Sequence, residues 1–311
     1  MPYLFVHFRE KLTIDGEQVH FAISENGTDW ERVNGGKPVL TCTTGELGCR
    51  DIELVRLHTG GFVLVATDAC IVRYMDDQYR VDWRKLNHEG SKFLSLWRSD
   101  DLLHFSPQEL LFLGRDDFGC LWAPEVFFDE DTQTYLLHWS ATVRETAFEH
   151  MSIYACETKD FKTFTRPKLF FDRPTEILDS HLVKHGDTYH LFYKNSNHPS
   201  GVMHATSKSL YGPYTDDDDF TAIMQAMAQP GSYEAPTTLV LPDGRWCLML
   251  DFFGCEKEKM GYVPFVSPAA GNAAFERADA LFSFPYGFKH GHAVEITQAE
   301  YEALRRYSSE N

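Results

Sequence analysis

Short segments in which apolar and polar residues alternate recur along the whole chain, and tight turns separate them. Residues 62–67 (Phe-Val-Leu-Val-Ala-Thr) follow such a turn, and residues 246–251 (Trp-Cys-Leu-Met-Leu-Asp) follow another. A period of two residues is typical of β-strands that bury one face. The pattern therefore predicts an all-β protein built from many short strands.

A recurring turn motif divides these strands into groups. A Ser or Thr is followed by a turn, often with Asp or Asn, and then by an aromatic residue; the segments are 24–30, 99–105, 158–164, 207–214 and 267–275. Each segment is typical of a hairpin between the third and fourth strands of a group. Regular repetition of four-stranded antiparallel units predicts a β-propeller.

The fifth unit forms only if the two ends of the chain come together. Residues 291–296 then supply its inner strand, residues 3–8 pair beside it, and residues 18–23 follow. We therefore predict a five-bladed β-propeller, closed by pairing of the N- and C-terminal strands, as a single domain over residues 1–311. A capping box at Thr297–Glu300 predicts a short C-terminal helix. A β-sandwich with irregular turns is the alternative.

Acidic residues begin most of the predicted inner strands. In a propeller the first strand of each blade lines the central channel, so the first residues of these strands are expected around one opening. They are Asp51, Glu125, Asp179 and Glu234, and His290 or His292 begins the fifth strand. Four carboxylates gathered in this way would repel one another and lose hydration, which indicates a function rather than a stabilising role.

The ordered motifs at these strands support a resemblance to a known family. They are Arg50-Asp51, Trp122-Ala-Pro-Glu125, Leu178-Asp179-Ser180, Tyr233-Glu-Ala-Pro236 and Lys289-His-Gly291. Over almost its whole length the chain resembles glycoside hydrolase family 43. The resemblance implies Asp51 as general base, Glu234 as general acid and Asp179 as the residue that adjusts the pKa of the acid. The chain has Ile52 and Ala235 where the family usually has Pro and Gly.

These roles imply hydrolysis with inversion at the anomeric carbon. Inverting glycosidases hold their two carboxyl groups about 6.5–9.5 Å apart, leaving room for a water molecule. We expect Asp51 to activate that water, Glu234 to protonate the leaving oxygen, and the charge of Asp179 to raise the pKa of Glu234.

Further residues are candidates for substrate binding. Trp122 and Phe252 are expected to stack on sugar rings, and Glu125 and His290 to line the channel mouth. Arg73 lies in a long insertion between residues 68 and 92, which is expected to wall off a pocket and so favours exo-action.

Composition narrows the substrate. The chain has 29 basic and 46 acidic residues, a formal net charge of −17, which disfavours nucleic acids and acidic polysaccharides. No apolar stretch is long enough to cross a membrane, and the start lacks a basic leader, so we expect a cytoplasmic protein. Seven cysteines without a C-x-x-C pair argue against a zinc site.

The expected activity is an exo-acting α-L-arabinofuranosidase or β-xylosidase on neutral plant-type oligosaccharides. No cofactor and no catalytic metal is expected, and a structural Ca²⁺ ion in the channel stays open. Alternatives are an exo-β-galactosidase or galactanase of the same family, a propeller that attacks with inorganic phosphate, and a carbohydrate-binding propeller without catalysis. The sequence leaves the oligomeric state open.

Overall fold

The computed structural model describes residues 1–9, 13–113, 115–199, 201–256, 260–285 and 287–310. In these residues the chain is all-β with short helices, and most of its sheets have four antiparallel strands.

In the described residues the strands form one sheet of eight and three sheets of four, which correspond to five groups of four strands. The first group has the sheet order β3-β2-β1-β20, with β1 Tyr3–Arg9, β2 His20–Ser24, β3 Glu31–Arg32 and β20 Phe288–Glu295. The second comprises β4 Cys49–Arg56, β5 Phe62–Asp68, β6 Phe93–Ser99 and β7 Glu109–Phe112. The third comprises β8 Trp122–Asp129, β9 Thr134–Thr142, β10 Met151–Thr158 and β11 Lys168–Phe171. The fourth comprises β12 Ile177–His185, β13 Thr188–Asn195, β14 Val202–Ser207 and β15 Thr215–Asp216. The fifth comprises β16 Ser232–Val240, β17 Trp246–Phe253, β18 Gly261–Ser267 and β19 Glu276–Arg277.

The first and last strands of the chain pair with each other. Strand β1 runs antiparallel to β20, with Tyr3 opposite Glu295 and Arg9 opposite Phe288. One parallel bridge, between Gly291 and Ile52, joins β20 to β4, so the first two groups form one eight-stranded sheet. The inner strands of neighbouring groups also contact one another: β4 with β8, β8 with β12, β12 with β16, β16 with β20, and β20 with β4.

The predicted hairpins are present, and their hydroxyl residues explain them. Bridges join Ser99 to Phe105 and Thr158 to Phe164, as the turn motif predicts. The hydroxyl of Ser99 accepts a hydrogen bond from the N–H of Leu102 (2.9 Å), and Thr158 does the same for Phe161 (2.9 Å). These bonds satisfy turn donors that the strands leave free. The third and fourth strands of these groups are therefore held in a fixed register.

Three α-helices lie outside the sheets in the described residues: α1 Trp83–Glu89, α2 Asp218–Ala226 and α3 Gln298–Glu310. The predicted capping box opens α3, because the Thr297 N–H donates to Glu300 (2.7 Å) and the Glu300 N–H donates to the Thr297 hydroxyl (3.2 Å). Asp82 caps α1 by accepting from the N–H of Lys85. Within the described part of the chain, none of the helices has the length and apolar character needed to span a bilayer.

The core lies between neighbouring sheets. Trp97, Trp139 and Trp246 are each at most 2% exposed and belong to three different groups of strands. Large aromatic side chains fill the space between twisted sheets, and strands such as β5 and β9 are buried on both faces. The sheets therefore pack against their neighbours on both sides.

Candidate active site

A cavity of about 530 Å³ opens at the starting ends of the inner strands, and Asp51, Asp179 and Glu234 all line it. These residues are 128 and 55 positions apart in sequence, so only the arrangement of the sheets brings them together. The side chains of Asp51 and Asp179 are 14% and 7% exposed. The predicted convergence of three carboxylates at one opening is therefore present.

A β-bulge at the same place in each inner strand shapes this cavity. The pairing register shifts after Arg50, Trp122, Leu178 and Glu234, and again at His290 in β20. The residue that follows each of the first four has a left-handed backbone, with φ between 49° and 52°: Asp51, Ala123, Asp179 and Ala235. A bulge re-aims side chains that strict alternation would send to opposite faces. Consecutive residues, such as Arg50 and Asp51, can therefore both line the cavity.

Because of the bulges, the four acids predicted at the starts of the inner strands do not occupy equivalent strand positions. Asp51 corresponds to Ala123, Asp179, Ala235 and His290, whereas Glu234 corresponds to Arg50 and Trp122. Glu125 lies two residues beyond the bulge, at the level of Glu53 and His181, and does not line the cavity. The four acids therefore occupy three different levels of the inner strands.

Asp51 is set up to be an ionised carboxylate. Its Oδ1 lies 3.1 Å from His290 Nδ1, and its Oδ2 accepts a hydrogen bond from the Thr67 hydroxyl (2.8 Å). Burial would raise the pKa of Asp51, but the charge and hydrogen bond of His290, with help from Arg50 and Thr67, lower it to about 2. A buried carboxylate that stays ionised at neutral pH can take a proton from a water molecule.

Asp179 differs from Asp51, because its pKa is raised to about 6. Burial is the main cause, and the negative charges of Glu234 and Asp51 add to it against the opposing charges of His290 and Lys194. Its Oδ2 is 3.9 Å from His290 Nδ1. Asp51 and Asp179, at 3.1 and 3.9 Å from one nitrogen, are thus no more than about 7 Å apart.

Glu234 is paired with lysines, which the sequence analysis missed. Lys194 Nζ donates to Glu234 Oε2 at 2.6 Å, and Lys289 Nζ lies 3.6 Å from Oε1 while contacting buried Asp251 at 2.6 Å. Burial would raise the pKa of Glu234, but Lys194 and then Lys289 lower it to about 2. The pKa of Glu234 is therefore lowered, where we expected it to be raised, because the charges of the two lysines outweigh burial. Lys289 stands next to His290 in the motif Lys289-His-Gly291, so the sequence did indicate a cation close to the acids.

His290 links the two aspartates. Burial would lower its pKa, but Asp51, then Asp179 and Glu234, raise it to about 9. The ring is therefore an imidazolium at neutral pH and lies against both acids. His290 lines the cavity, which fits the expected contact with a substrate. That contact itself remains a prediction.

Two aromatic predictions have different outcomes. Trp122 lines the cavity, where its ring meets Trp83 edge-on at 6.1 Å between centroids. Phe252 is 1% exposed and packs against Tyr233 in the core, so it cannot stack on a sugar. Its neighbour Phe253 takes that place, because adjacent strand residues face opposite sides. Phe253 lines the cavity, and Lys194 Nζ lies 4.5 Å above its ring.

The insertion after β5 forms one wall of the cavity. Residues between Ala69 and Leu86 line it, as expected for a segment that closes off a pocket. Arg73 is not part of that wall: it lines a shallow depression on the other side of the insertion with Tyr74, Asp76 and Arg80. The prediction that Arg73 binds substrate beside the carboxylates is therefore corrected.

The described residues of the cavity do not form a recognisable metal site. In the portion of the chain that the structure describes, no group of three or more His, Cys, Asp or Glu side chains has the geometry of a metal site. The calcium ion suggested for the channel remains a prediction.

The fold is that of solved glycoside hydrolases of family 43. The chain matches a family 43 protein from Bacillus licheniformis with a TM-score of 0.61 and 14% identity, over 96% of this chain and 55% of that one. A xylan β-1,4-xylosidase from Bacillus halodurans matches with a TM-score of 0.59 and 16% identity, over 85% and 50% of the two chains. An α-L-arabinofuranosidase from Podospora anserina matches with a TM-score of 0.53 and 15% identity, over 77% and 71%.

The chain belongs to the glycosyl hydrolase 43-related family, because the model of that family, described as a probable glycosyl hydrolase domain, matches residues 1–302. An α-L-arabinofuranosidase from Bifidobacterium longum is 27% identical over 198 residues. That match covers 57% of this chain and 18% of the relative, so the chain spans less than a fifth of the curated protein that it matches.

Proposed function

We propose that the protein is an inverting, exo-acting glycoside hydrolase that releases a terminal α-L-arabinofuranosyl or β-xylosyl group from neutral plant-type glycosides, oligosaccharides included. The observation that carries this proposal is the convergence of Asp51, Asp179 and Glu234 on one cavity. Membership of the family and the arabinofuranosidase and xylosidase names of its relatives support the choice of sugar.

In the proposed reaction Asp51 takes a proton from a water molecule as the water oxygen bonds to the anomeric carbon. Glu234 gives a proton to the glycosidic oxygen while the bond between that oxygen and the anomeric carbon breaks. The products are the free sugar, with inverted configuration, and an alcohol. The proton then held by Asp51 returns to solvent, and Glu234 is reprotonated.

The proton on Glu234 needs a source, because Lys194 keeps this carboxylate ionised. Asp179, with a pKa of about 6, is the acid of this group that carries a proton most readily near neutral pH. We propose that a sugar oxygen entering beside Glu234 separates it from Lys194, so that burial and the negative charge of Asp179 then raise the pKa of Glu234. The role of Asp179 is thus electrostatic and positioning.

The proposed architecture is a five-bladed propeller in one domain. It is supported by five groups of four strands and by contacts of each inner strand with the next, from β4 through β20 and back to β4. The cavity then lies at the mouth of the central channel, and the wall at residues 69–86 closes one side of it. A site closed on one side fits removal of a terminal sugar.

The pairing of cations favours water over inorganic phosphate as the attacking group. Arg50 contacts Glu17 at 2.8 Å, Lys194 contacts Glu234, and Lys289 contacts Asp251, so these three basic side chains of the cavity already have acidic partners. A phosphate would enter against the charges of Asp51 and Glu234.

A screen of nitrophenyl glycosides with and without phosphate tests the proposal. We expect release of nitrophenol from the α-L-arabinofuranoside or β-xyloside, at a rate that phosphate leaves unchanged. Hydrolysis of neither glycoside, or turnover only when phosphate is present, would contradict it. Tight binding of an oligosaccharide that stays intact would instead support a carbohydrate-binding protein.

A further inference from the structure

The wall formed by the insertion after β5 is apolar. Its lining side chains are Ile71, Val72, Met75, Val81, Trp83 and Leu86. The rest of the lining includes Asp51, Asp179, Glu234, Lys194 and His290, which all carry hydrogen-bonding groups, as well as apolar side chains such as Leu178. The charged residues can bind the hydroxyl groups of a sugar, and the insertion adds a mainly hydrocarbon surface.

This wall is an ordered hairpin. Met75 and Val81 form a β-bridge, the N–H of Asp76 donates to the carbonyl of Arg80 (3.0 Å), and the N–H of Asp82 donates to that of Tyr74 (3.1 Å). The charged residues Asp76 and Arg80, which pair at 2.7 Å, line the neighbouring shallow depression and not the cavity, whereas Met75 and Val81 line both. The side chains that the hairpin presents to the cavity are therefore aliphatic.

The polar groups of the wall lie at its deep end. There the N–H groups of Ile71 and Val72 donate to the carboxylate of Glu17, at 3.0 and 3.2 Å, and Glu17 and Arg50 line the cavity. A sugar hydroxyl placed further out, against the side chains of Met75 and Val81, would lose water without gaining a side-chain partner, which costs on the order of 1–3 kcal/mol. A second sugar ring is thus a poor fit at this wall, and an apolar group is a good one.

Exposure shows which end of a substrate meets the wall. Ala69 and Ile71, beside the carboxylates, are 6% and 7% exposed, whereas Trp83 at the mouth is 50% exposed. A terminal sugar that reaches the buried acids leaves its leaving group near Met75, Val81 and Trp83. At the mouth the edge-on contact between Trp83 and Trp122 provides aromatic faces for that group.

We propose that the preferred leaving group is an apolar aglycone, an aromatic or aliphatic alcohol joined to a single terminal sugar, rather than a second sugar. Met75, Val81 and Trp83 are then the residues that determine this specificity. The inference rests on the proposed glycosidase activity and narrows its substrate to glycosides of apolar alcohols.

The test compares three glycosides of whichever sugar the nitrophenyl screen identifies: methyl, benzyl and a disaccharide. Methanol and benzyl alcohol are both alkyl alcohols, so the comparison is largely free of the leaving-group advantage of nitrophenol. We expect kcat/KM for the benzyl glycoside to exceed that for the methyl glycoside and for the disaccharide by at least about tenfold, mostly through a lower KM. The double variant Met75→Gln, Val81→Thr should bring the benzyl-to-methyl ratio close to 1.

Tyr79→Asn is the matched control, because Tyr79 lies in the same hairpin but is 73% exposed and outside the cavity lining. It should keep the wild-type ratio. A disaccharide that is hydrolysed faster than the benzyl glycoside, or a ratio that the double variant leaves unchanged while its far-UV spectrum and unfolding temperature are normal, would overturn the inference. Failure to hydrolyse any glycoside would instead refute the proposed function.

Discussion

Carboxylates and histidines lie both at the bulges of the inner strands and two residues beyond them, but only those at the bulges face the cavity. The cavity tier consists of Asp51, Asp179, Glu234 and His290, which all line it. The buried tier consists of Glu53, Glu125, His181 and His292, two residues past each bulge, and none of these four lines it. The tiers use similar residue types, so the bulge decides which acids meet a substrate.

The buried tier is closed by its own contacts. His181 Nδ1 lies 2.9 Å from Glu125, its Nε2 lies 2.9 Å from the Thr238 hydroxyl, and His292 Nδ1 lies 2.9 Å from Glu53. Burial, and then the charge of Glu53, raise the pKa of Glu125 well above 4.5. Burial, and then His292, lower the pKa of His181 to about 3. Glu125 and His181 thus favour their neutral forms and support the strands.

The largest expected effect separates the tiers by one kind of substitution. Asp51→Asn should lower kcat/KM by about 10²- to 10⁴-fold, because the amide cannot take a proton from water. Glu125→Gln should change kcat/KM less than about threefold, because the amide replaces a carboxyl that favours its neutral form and retains the contact with His181. Steady-state kinetics on the best nitrophenyl glycoside measure both. Equal losses in the two variants would remove the distinction between the tiers.

The second prediction concerns the cation that holds Glu234 ionised. Lys194→Met removes the charge 2.6 Å from Glu234, so the pKa of this acid should rise toward its ordinary value. Because activity needs protonated Glu234, the alkaline limb of the pH profile of kcat/KM should move upward by about one to two pH units. Lys85→Met, in the insertion but on its outer side, is the control. If the alkaline limb of the Lys194 variant does not move, the group that titrates in this limb is not Glu234.

A third prediction tests the buried tier by stability. Glu125→Ala should lower the free energy of unfolding by about 2–3 kcal/mol, because it leaves a void and an unpaired His181. In wild type the direction in which stability changes with pH follows from the raised pKa of Glu125 in the folded state. The stability that this proton provides is complete below about pH 4.5 and is lost as pH rises toward the folded pKa.

Glu125→Gln does not titrate, so it should gain stability relative to wild type as pH rises from about 4.5 toward the folded pKa of Glu125, by up to about 1.4 kcal/mol per pH unit. Urea unfolding at several pH values measures the difference. A pH-independent difference would show that Glu125 has the same pKa in both states.

The smallest effect comes from the bulge itself. Ala235 has φ of 52°, a left-handed conformation that a side chain disfavours by about 1–2 kcal/mol. Ala235→Gly should therefore be neutral or stabilising by up to about 1 kcal/mol, since the entropy of the unfolded chain offsets part of the relief. Ala235→Val should destabilise by more than about 2 kcal/mol. Urea unfolding gives the free energy of unfolding of both variants. A valine variant as stable as wild type would show that the backbone at position 235 is not strained.

The strand pattern was predictable because alternation and hairpin chemistry are local. The predicted strands at 62–67 and 246–251 correspond to β5 Phe62–Asp68 and β17 Trp246–Phe253. The capping box of α3 and the Ser99 and Thr158 hairpins also follow from residues a few positions apart. Because each of Asp51, Asp179 and Glu234 stands at the start of a predicted inner strand, their meeting at one opening was also predictable.

The bulges were not predicted from the sequence, although prolines mark two of them. Pro124 and Pro236 interrupt inner strands, where proline is tolerated mainly at a bulge. Aligning the strands on these Ala-Pro pairs would have matched Glu234 with Trp122 and moved Glu125 out of the cavity. The pairing of Lys194 with Glu234, across two neighbouring groups of strands, has no local signal and needed the three-dimensional structure.

The most direct test of the central claim is the configuration of the first sugar released, followed by proton NMR of the anomeric signal before mutarotation. Attack by a water that Asp51 activates, while Glu234 protonates the opposite side, predicts a product of inverted configuration. A first product that keeps the configuration of the substrate would contradict this account, because it requires a covalent intermediate that the proposed roles do not include.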